Sequence, residues 1–141
     1  MVSLQPVMQV KARVTQVKTL PVGSGVSYNH TYVCDQPLVV AVVGIGYADG
    51  VPRSLSNRIK VSIRGKLVPQ IGSITMDQLM VDVSAIPDLQ VGEVVTLLGQ
   101  DGEVHLAVES WAELLGTISY EIVCGFKHRL PRVYVKSTPS P

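Results

Sequence analysis

From Met8 to Thr15 apolar and polar residues alternate at every position, with Met8, Val10, Ala12 and Val14 in one set and Gln9, Lys11, Arg13 and Thr15 in the other. A period of two puts each set on its own face of a strand, so this stretch is predicted as a half-buried β-strand. At Gln16 the alternation slips and the next apolar residue is Val17, which predicts a bulge of the kind that lets a sheet curl. The pattern returns along the chain. Ile59 to Arg64 alternates, and Gly65 allows a tight turn into Lys66-Leu67-Val68, which predicts a hairpin. Leu38 to Val43 is continuously apolar, as expected of a strand covered on both faces. Leu79, Val81 and Val83 alternate again, Val94 to Leu98 forms one more apolar run, and Arg132 to Val135 after Pro131 is predicted as a last strand.

One helix interrupts this series, over about Ala107 to Leu115, with Val108, Trp111, Leu114 and Leu115 on one stripe and Gly116 as its C-terminal cap. A second short helix is expected from Ser119 to before Gly125. The expected fold is all-β in the main, a β-barrel with one or two short helices. It occupies residues 1–136 as one domain, and 137–141 is expected to be a disordered tail.

A chain of 141 residues is long enough to bury roughly two-thirds of the surface it exposes when unfolded, so it needs no disulfide or metal to fold. A formal net charge of +1 with 16% charged residues lacks the basic footprint that nucleic acid requires. Cys34 and Cys124 have neither metal-ligand spacing nor the density of a secreted scaffold, so reduced structural thiols in a cytosol are expected. No apolar stretch approaches a membrane span, and the first residues carry no signal pattern. A soluble, cytoplasmic chain without metal, membrane or nucleic-acid partners is therefore expected.

Gly44-Ile45-Gly46-Tyr47-Ala48-Asp49-Gly50 follows an apolar strand and comes close to a dinucleotide-binding fingerprint. That fingerprint needs a helix next, to point its N-terminus at a pyrophosphate. Here Val51-Pro52 follows, and Pro52 pushes Val51 toward extended geometry, so the dinucleotide reading fails. The glycines turn the chain, and Tyr47 between them has room to project into a cleft. If Ser27 to Tyr32 is extended, Tyr28, His30 and Tyr32 share one face. By composition alone such a row reads as packing.

Four ordered motifs change that reading: Gly25-Val26-Ser27-Tyr28, Gly44 to Arg53, Gly72-Ser73-Ile74-Thr75-Met76-Asp77-Gln78, and Ile118-Ser119-Tyr120-Glu121. In order and spacing they make the chain resemble the C-terminal domain of bacterial alanine racemase, from Leu4 to Arg132. The resemblance implies an isomerase that uses pyridoxal phosphate to interconvert the alanine enantiomers, acts as a head-to-tail homodimer, and supplies D-alanine for the cell wall. It implies that Tyr28 is a catalytic acid/base in the partner subunit's active site, while His30 and Tyr32 are scaffold. It implies that the Met76 backbone N–H holds the substrate carboxylate, that Tyr47 and Arg53 shape the substrate entryway, and that Tyr120 hydrogen-bonds the cofactor phosphate. Asp77 is expected to order its loop rather than react.

Some positions depart from the family, which often has glycine at Asn29, arginine at Ser73 and cysteine at Thr75. Ser73 removes a positive charge from the entryway. A lysine that holds this cofactor is usually desolvated beside a phosphate cradle, and Lys11, Lys18, Lys60, Lys66, Lys127 and Lys136 lack that setting. The resemblance implies that the cofactor is held mainly by an N-terminal α/β barrel absent from these residues, so this chain alone is expected to be inactive. The alternatives are a related racemase for serine or another small amino acid, and a non-catalytic β-barrel binding module. The second predicts an exposed basic or aromatic patch, against which 5% aromatic content and near-neutral charge speak.

Overall fold

The computed structural model describes residues 2–136. Nine strands and two α-helices follow one another as β1 Val10–Leu20, β2 Gly25–Val26, β3 Tyr32–Val33, β4 Leu38–Val43, β5 Lys60–Ile63, β6 Lys66–Ile71, β7 Leu79–Asp82, β8 Val94–Asp101, β9 Val104–Leu106, α1 Val108–Leu115 and α2 Ser119–Cys124. Seven strands form one sheet in the order β1-β4-β7-β6-β5-β8-β9, and β8 also pairs with β1. The pairings thus return to their starting strand. Between β5 and β8 the ladder is reduced to Ser62 opposite Thr96, so the architecture is barrel-like without being an evenly closed barrel.

The curl comes from β1. Its first part, Val10 to Arg13, pairs with β8, whereas Val14 to Leu20 pairs with β4. The register shifts between Val14 and Gln16, where the apolar alternation breaks in the sequence, so the bulge marks the change of partner. An extra residue in one strand bends it and raises its twist. β4 lies between β1 and β7, and five of its six residues are buried, which explains its unbroken apolar run. β5 and β6 form the expected hairpin around Arg64 and Gly65, both at positive φ, as a two-residue hairpin turn requires.

The core gathers Val14, Ala41, Val43, Ile45, Val61, Ile63, Ile74, Leu79, Val81, Leu97 and Leu98 from the sheet and its loops. Trp111 and Ala112 of α1, Ile122 of α2 and Phe126 beyond it join the same core. Ala112 therefore points inward where Leu114, 37% exposed, points out, so the buried stripe of α1 is rotated from the one expected. A smaller cluster of Val26, Cys34, Leu38, Val40 and Ile71 lies under the segment that carries Tyr28.

Three further readings are corrected. Ser27 to Tyr32 is not extended: Tyr28–His30 forms a short 3-10 turn, so Tyr28, His30 and Tyr32 share no strand face. Arg132 to Val135 forms no strand and is exposed. Pro131 starts this stretch, and no sheet edge is recorded as pairing with it among the described residues. Cys34 is buried but Cys124 is exposed, so only the first is a core thiol. The tail expected at 137–141 lies outside the described residues.

Candidate functional site

The residues of interest sit on loops that leave the ends of the strands, and the segment from Gly72 to Gln78 joins them. Thr75 N–H donates to the Gln78 carbonyl at 2.9 Å, and Thr75 Oγ1 accepts from Gln78 N–H at 3.2 Å. That closes a tight turn with Met76 and Asp77 at its tip. Met76 is 53% exposed, so it is no core residue. Its carbonyl accepts from Ala48 N–H, while its own N–H has no acceptor among the described residues.

The loop after β4 docks on this turn. Tyr47 N–H donates to the Thr75 carbonyl at 2.9 Å and Ala48 N–H to the Met76 carbonyl at 3.0 Å. Such an approach needs a residue with no side chain beside it. A Cβ on Gly46 would overlap the carbonyl oxygens of both Thr75 and Met76. Asp49, 7% exposed, accepts from Gly46 N–H at 2.9 Å and so curls the loop back on itself. Tyr47 is left 43% exposed at the surface of this junction. Arg53 begins a short 3-10 turn after Pro52. Its side chain is exposed and has no hydrogen-bond or ion-pair partner among the described residues.

Arg129 fastens the two loops from outside. Its Nη2 donates to Asp77 Oδ1 at 2.6 Å, and its Nε lies 3.5 Å from Asp49 Oδ1. The hydrogen bond to Asp77 raises the guanidinium above its ordinary value. Asp77 thus ties its loop to Arg129, and Asp49 shares that guanidinium, neither contact being legible in the sequence. The only available signal was an acid beside each functional loop and a distant arginine, which spacing alone does not connect.

Tyr28 reaches the same segment from the other side. Ser27 Oγ donates to the Ser73 carbonyl at 2.6 Å, and Ser73 Oγ donates to the Tyr28 carbonyl at 3.2 Å. Ser73 itself is only 4% exposed, and the Tyr28 side chain stands out at 69% exposure. The structure thus brings the Tyr28, Tyr47 and Met76 loops onto one connected hydrogen-bonded frame. Tyr32 is half-buried in the smaller cluster, where burial first and Asp82 second raise its phenol above the ordinary value. It stays protonated at neutral pH and offers no base.

Tyr120 stands apart, on the first turn of α2, and is 75% exposed. It lines a shallow depression with Glu109, Glu113, Thr117 and Ser119. A phenol O–H suits a phosphate oxygen, but no cation lines that depression. None of the six lysines is buried; Lys18 is half-buried and the others are exposed. Of what a pyridoxal phosphate site needs, the described residues thus offer a hydroxyl for the phosphate but neither a buried lysine nor a cation beside it.

Residues 7–134 match the family model described as alanine racemase, C-terminal domain. The alanine racemase of Nostoc sp. is 62% identical over 134 residues, 95% of this chain and 35% of that protein. The alanine racemase of Synechocystis sp. is 60% identical over 132 residues, 94% of this chain and 36% of its own length. Among solved structures, the Bacillus anthracis alanine racemase with bound L-Ala-P superposes with a TM-score of 0.89 at 37% identity, covering 96% of this chain and 34% of that one. The Bartonella henselae alanine racemase with covalently bound pyridoxal phosphate gives 0.83 at 34% identity, covering 90% and 34%. The chain spans about a third of the length of the relatives it matches. It belongs to the alanine racemase C-terminal domain family.

Proposed function

We propose that residues 1–136 are the C-terminal domain of an alanine racemase, and that Tyr28 is one of the two proton-transfer groups at the substrate Cα. The observation that carries this is the frame around Gly72 to Gln78. It holds an exposed phenol, a second phenol and a backbone N–H without an acceptor among the described residues, on three joined loops. Inverting a stereocentre by proton transfer needs a group on each face of Cα. Tyr28 serves one face, and a lysine in a separate domain of the full-length protein serves the other.

The phenol O–H of Tyr28 can donate a proton. To accept one it needs a donating or cationic neighbour. Ser27, Thr31 and Ser73, which hold its loop, are neutral, so in this reading that neighbour comes from outside the chain. The Met76 N–H binds the substrate carboxylate. The tight turn closed by Thr75 and Gln78 aims that N–H before substrate arrives, which spares reorganisation. Tyr47 and Arg53 border the entryway, and Ser73 bears on it by holding the Tyr28 loop rather than by charge.

Pyridoxal phosphate, when bound, supplies the electron sink that stabilises the carbanion left at Cα. Tyr120 would donate its O–H to the phosphate of that cofactor. Tyr28, Tyr47 and Met76 serve the active site of the partner subunit in a homodimer, whereas Tyr120 serves its own subunit, which accords with Tyr120 standing apart from the other three. The D-alanine product feeds cell-wall synthesis in the cytoplasm.

Tyr28→Phe in the full-length enzyme tests this. The substitution keeps the ring and deletes the hydroxyl, and general acid-base catalysis is worth about 10² to 10⁴ in rate, so racemisation falls by that order. Exchange of the Cα hydrogen in deuterated water then survives on the lysine's face and outpaces inversion. Racemisation at the wild-type rate would remove Tyr28 from the reaction. Comparing alanine with serine as substrate separates the alanine enzyme from a related racemase.

A further inference from the structure

The 27–30 segment is built against its own backbone preference. Ser27, Asn29 and His30 have φ of 62°, 61° and 45°, a region that L side chains rarely occupy. Three such residues in four persist only where surrounding structure over-determines them. The side chain of Tyr28 is not what holds them, because it is 69% exposed and packing cannot set its direction. The direction of the phenol is set by the backbone beneath it.

That backbone is gripped by one residue. Ser73 accepts from Ser27 Oγ through its carbonyl at 2.6 Å, donates from its hydroxyl to the Tyr28 carbonyl at 3.2 Å, and shares a 3.3 Å hydrogen bond with Thr31 Oγ1. Ser73 is in turn anchored. Asn57 donates to Thr31 Oγ1 at 3.2 Å and accepts from Gly72 N–H at 2.6 Å. Buried Gln70 accepts from Asn57 N–H at 2.8 Å and donates to the Gly72 carbonyl at 2.9 Å. A chain of hydrogen bonds therefore runs from the buried end of β6 to both sides of Tyr28.

We infer that Ser73 is a positioning residue for Tyr28: its hydroxyl and carbonyl clamp the strained turn that aims the phenol. The inference rests on the proposed role of Tyr28. Clamping by a small buried hydroxyl requires a residue that fits under the loop, and Ser73, 4% exposed, does. A displacement of about 1 Å at a reacting group can cost on the order of 100-fold in rate, so a modest slackening of the turn is enough to be read kinetically.

The test is Ser73→Ala in the full-length enzyme, with the rate of Cα hydrogen exchange measured separately for each enantiomer in deuterated water. The expected result is a loss of about 10- to 100-fold in kcat, with KM changed by less than about twofold. Proton transfer on the Tyr28 face falls by that factor and exchange on the opposite face is unchanged. Thr31→Val, at an exposed position with nearly the same shape, should give a smaller loss with the same face preference. It serves as the test if Ser73→Ala does not fold. In a Tyr28→Phe background neither change should lower the residual exchange further. Equal losses on both faces, or no loss in a folded variant, overturn the inference. A Tyr28→Phe enzyme that racemises normally overturns the functional reading itself, independently of what Ser73→Ala does.

Discussion

Arg129 and Asp77, 52 residues apart in the chain, meet through a 2.6 Å charge-assisted hydrogen bond, and the same guanidinium faces Asp49. The pair is exposed, so it contributes little to global stability and is screened by salt. Its effect is local, because Asp77 follows Met76 directly. Arg129→Gln should leave the thermal midpoint nearly unchanged, yet raise KM for alanine in the full-length enzyme by about threefold to tenfold with kcat little altered, the pattern of a lost binding contribution. Steady-state kinetics in both directions would check it. A fall in kcat at constant KM would place Arg129 elsewhere in the reaction.

Gly46→Ala should be among the more damaging single-methyl changes in the domain. The added Cβ overlaps the carbonyl oxygens of Thr75 and Met76, which are held by the Tyr47 and Ala48 N–H groups, so neither side can yield without breaking the junction. Overpacking of this kind costs about 1–3 kcal/mol or more. A urea denaturation series would register the loss as a lower midpoint at constant slope.

Acid should weaken the fold through Asp101. Its Oδ2 accepts from Ser62 Oγ at 2.7 Å and from Gly65 N–H at 2.9 Å. The Ser62 hydrogen bond first and the Gly65 N–H second hold its carboxyl below the ordinary value. A carboxyl depressed on folding stabilises the native state above its unfolded pKa of about 4, and that contribution disappears as pH falls through the folded value. Glu93, held down by Arg64 and by the Gln90 N–H, acts in the same direction. Asp101→Asn should therefore lower stability near neutral pH and flatten its decline below about pH 4. Denaturation midpoints for both proteins across that range would show an unchanged slope if the assignment is wrong.

The isolated chain should fold with a β-dominated circular dichroism spectrum, yet show no saturable absorbance change on titration with pyridoxal phosphate and no racemisation of alanine. None of its lysines is buried, and no cation lines the depression beside Tyr120. A stoichiometric cofactor site on one lysine, or turnover above that of free cofactor, would count against the division of labour proposed between this domain and the remainder of the enzyme.

The strands β1, β4, β5, β6, β7 and β8 and both helices are legible in the sequence because each follows from a local rule. Alternation selects a half-buried strand, an unbroken apolar run selects a covered one, and Gly65 and Gly116 mark where the chain must turn or stop. Even the bulge in β1 is visible as a slip of one residue at Gln16. The motifs around Tyr28, Tyr47, Met76 and Tyr120 were equally legible as a family likeness, though not from their chemistry alone.

The local rules failed where long-range contacts decide. An extended Ser27 to Tyr32 would set Tyr28, His30 and Tyr32 on one face, but Ser73, 46 residues from Ser27, holds it in a turn with three residues at positive φ. Arg132 to Val135 has strand composition, but β propensity measures fit to a neighbouring strand, and no sheet edge pairs with it among the described residues. The periodicity of the chain thus determined the six longer strands β1 and β4 to β8, since alternation and burial are properties of neighbours in sequence. Which loops meet, and so the grip of Ser73 on Tyr28, the seat of Tyr47 on Thr75 and the bridge of Arg129 to Asp77, was decided only by the tertiary structure, because hydrogen bonds between distant backbone groups leave no period in the sequence to read.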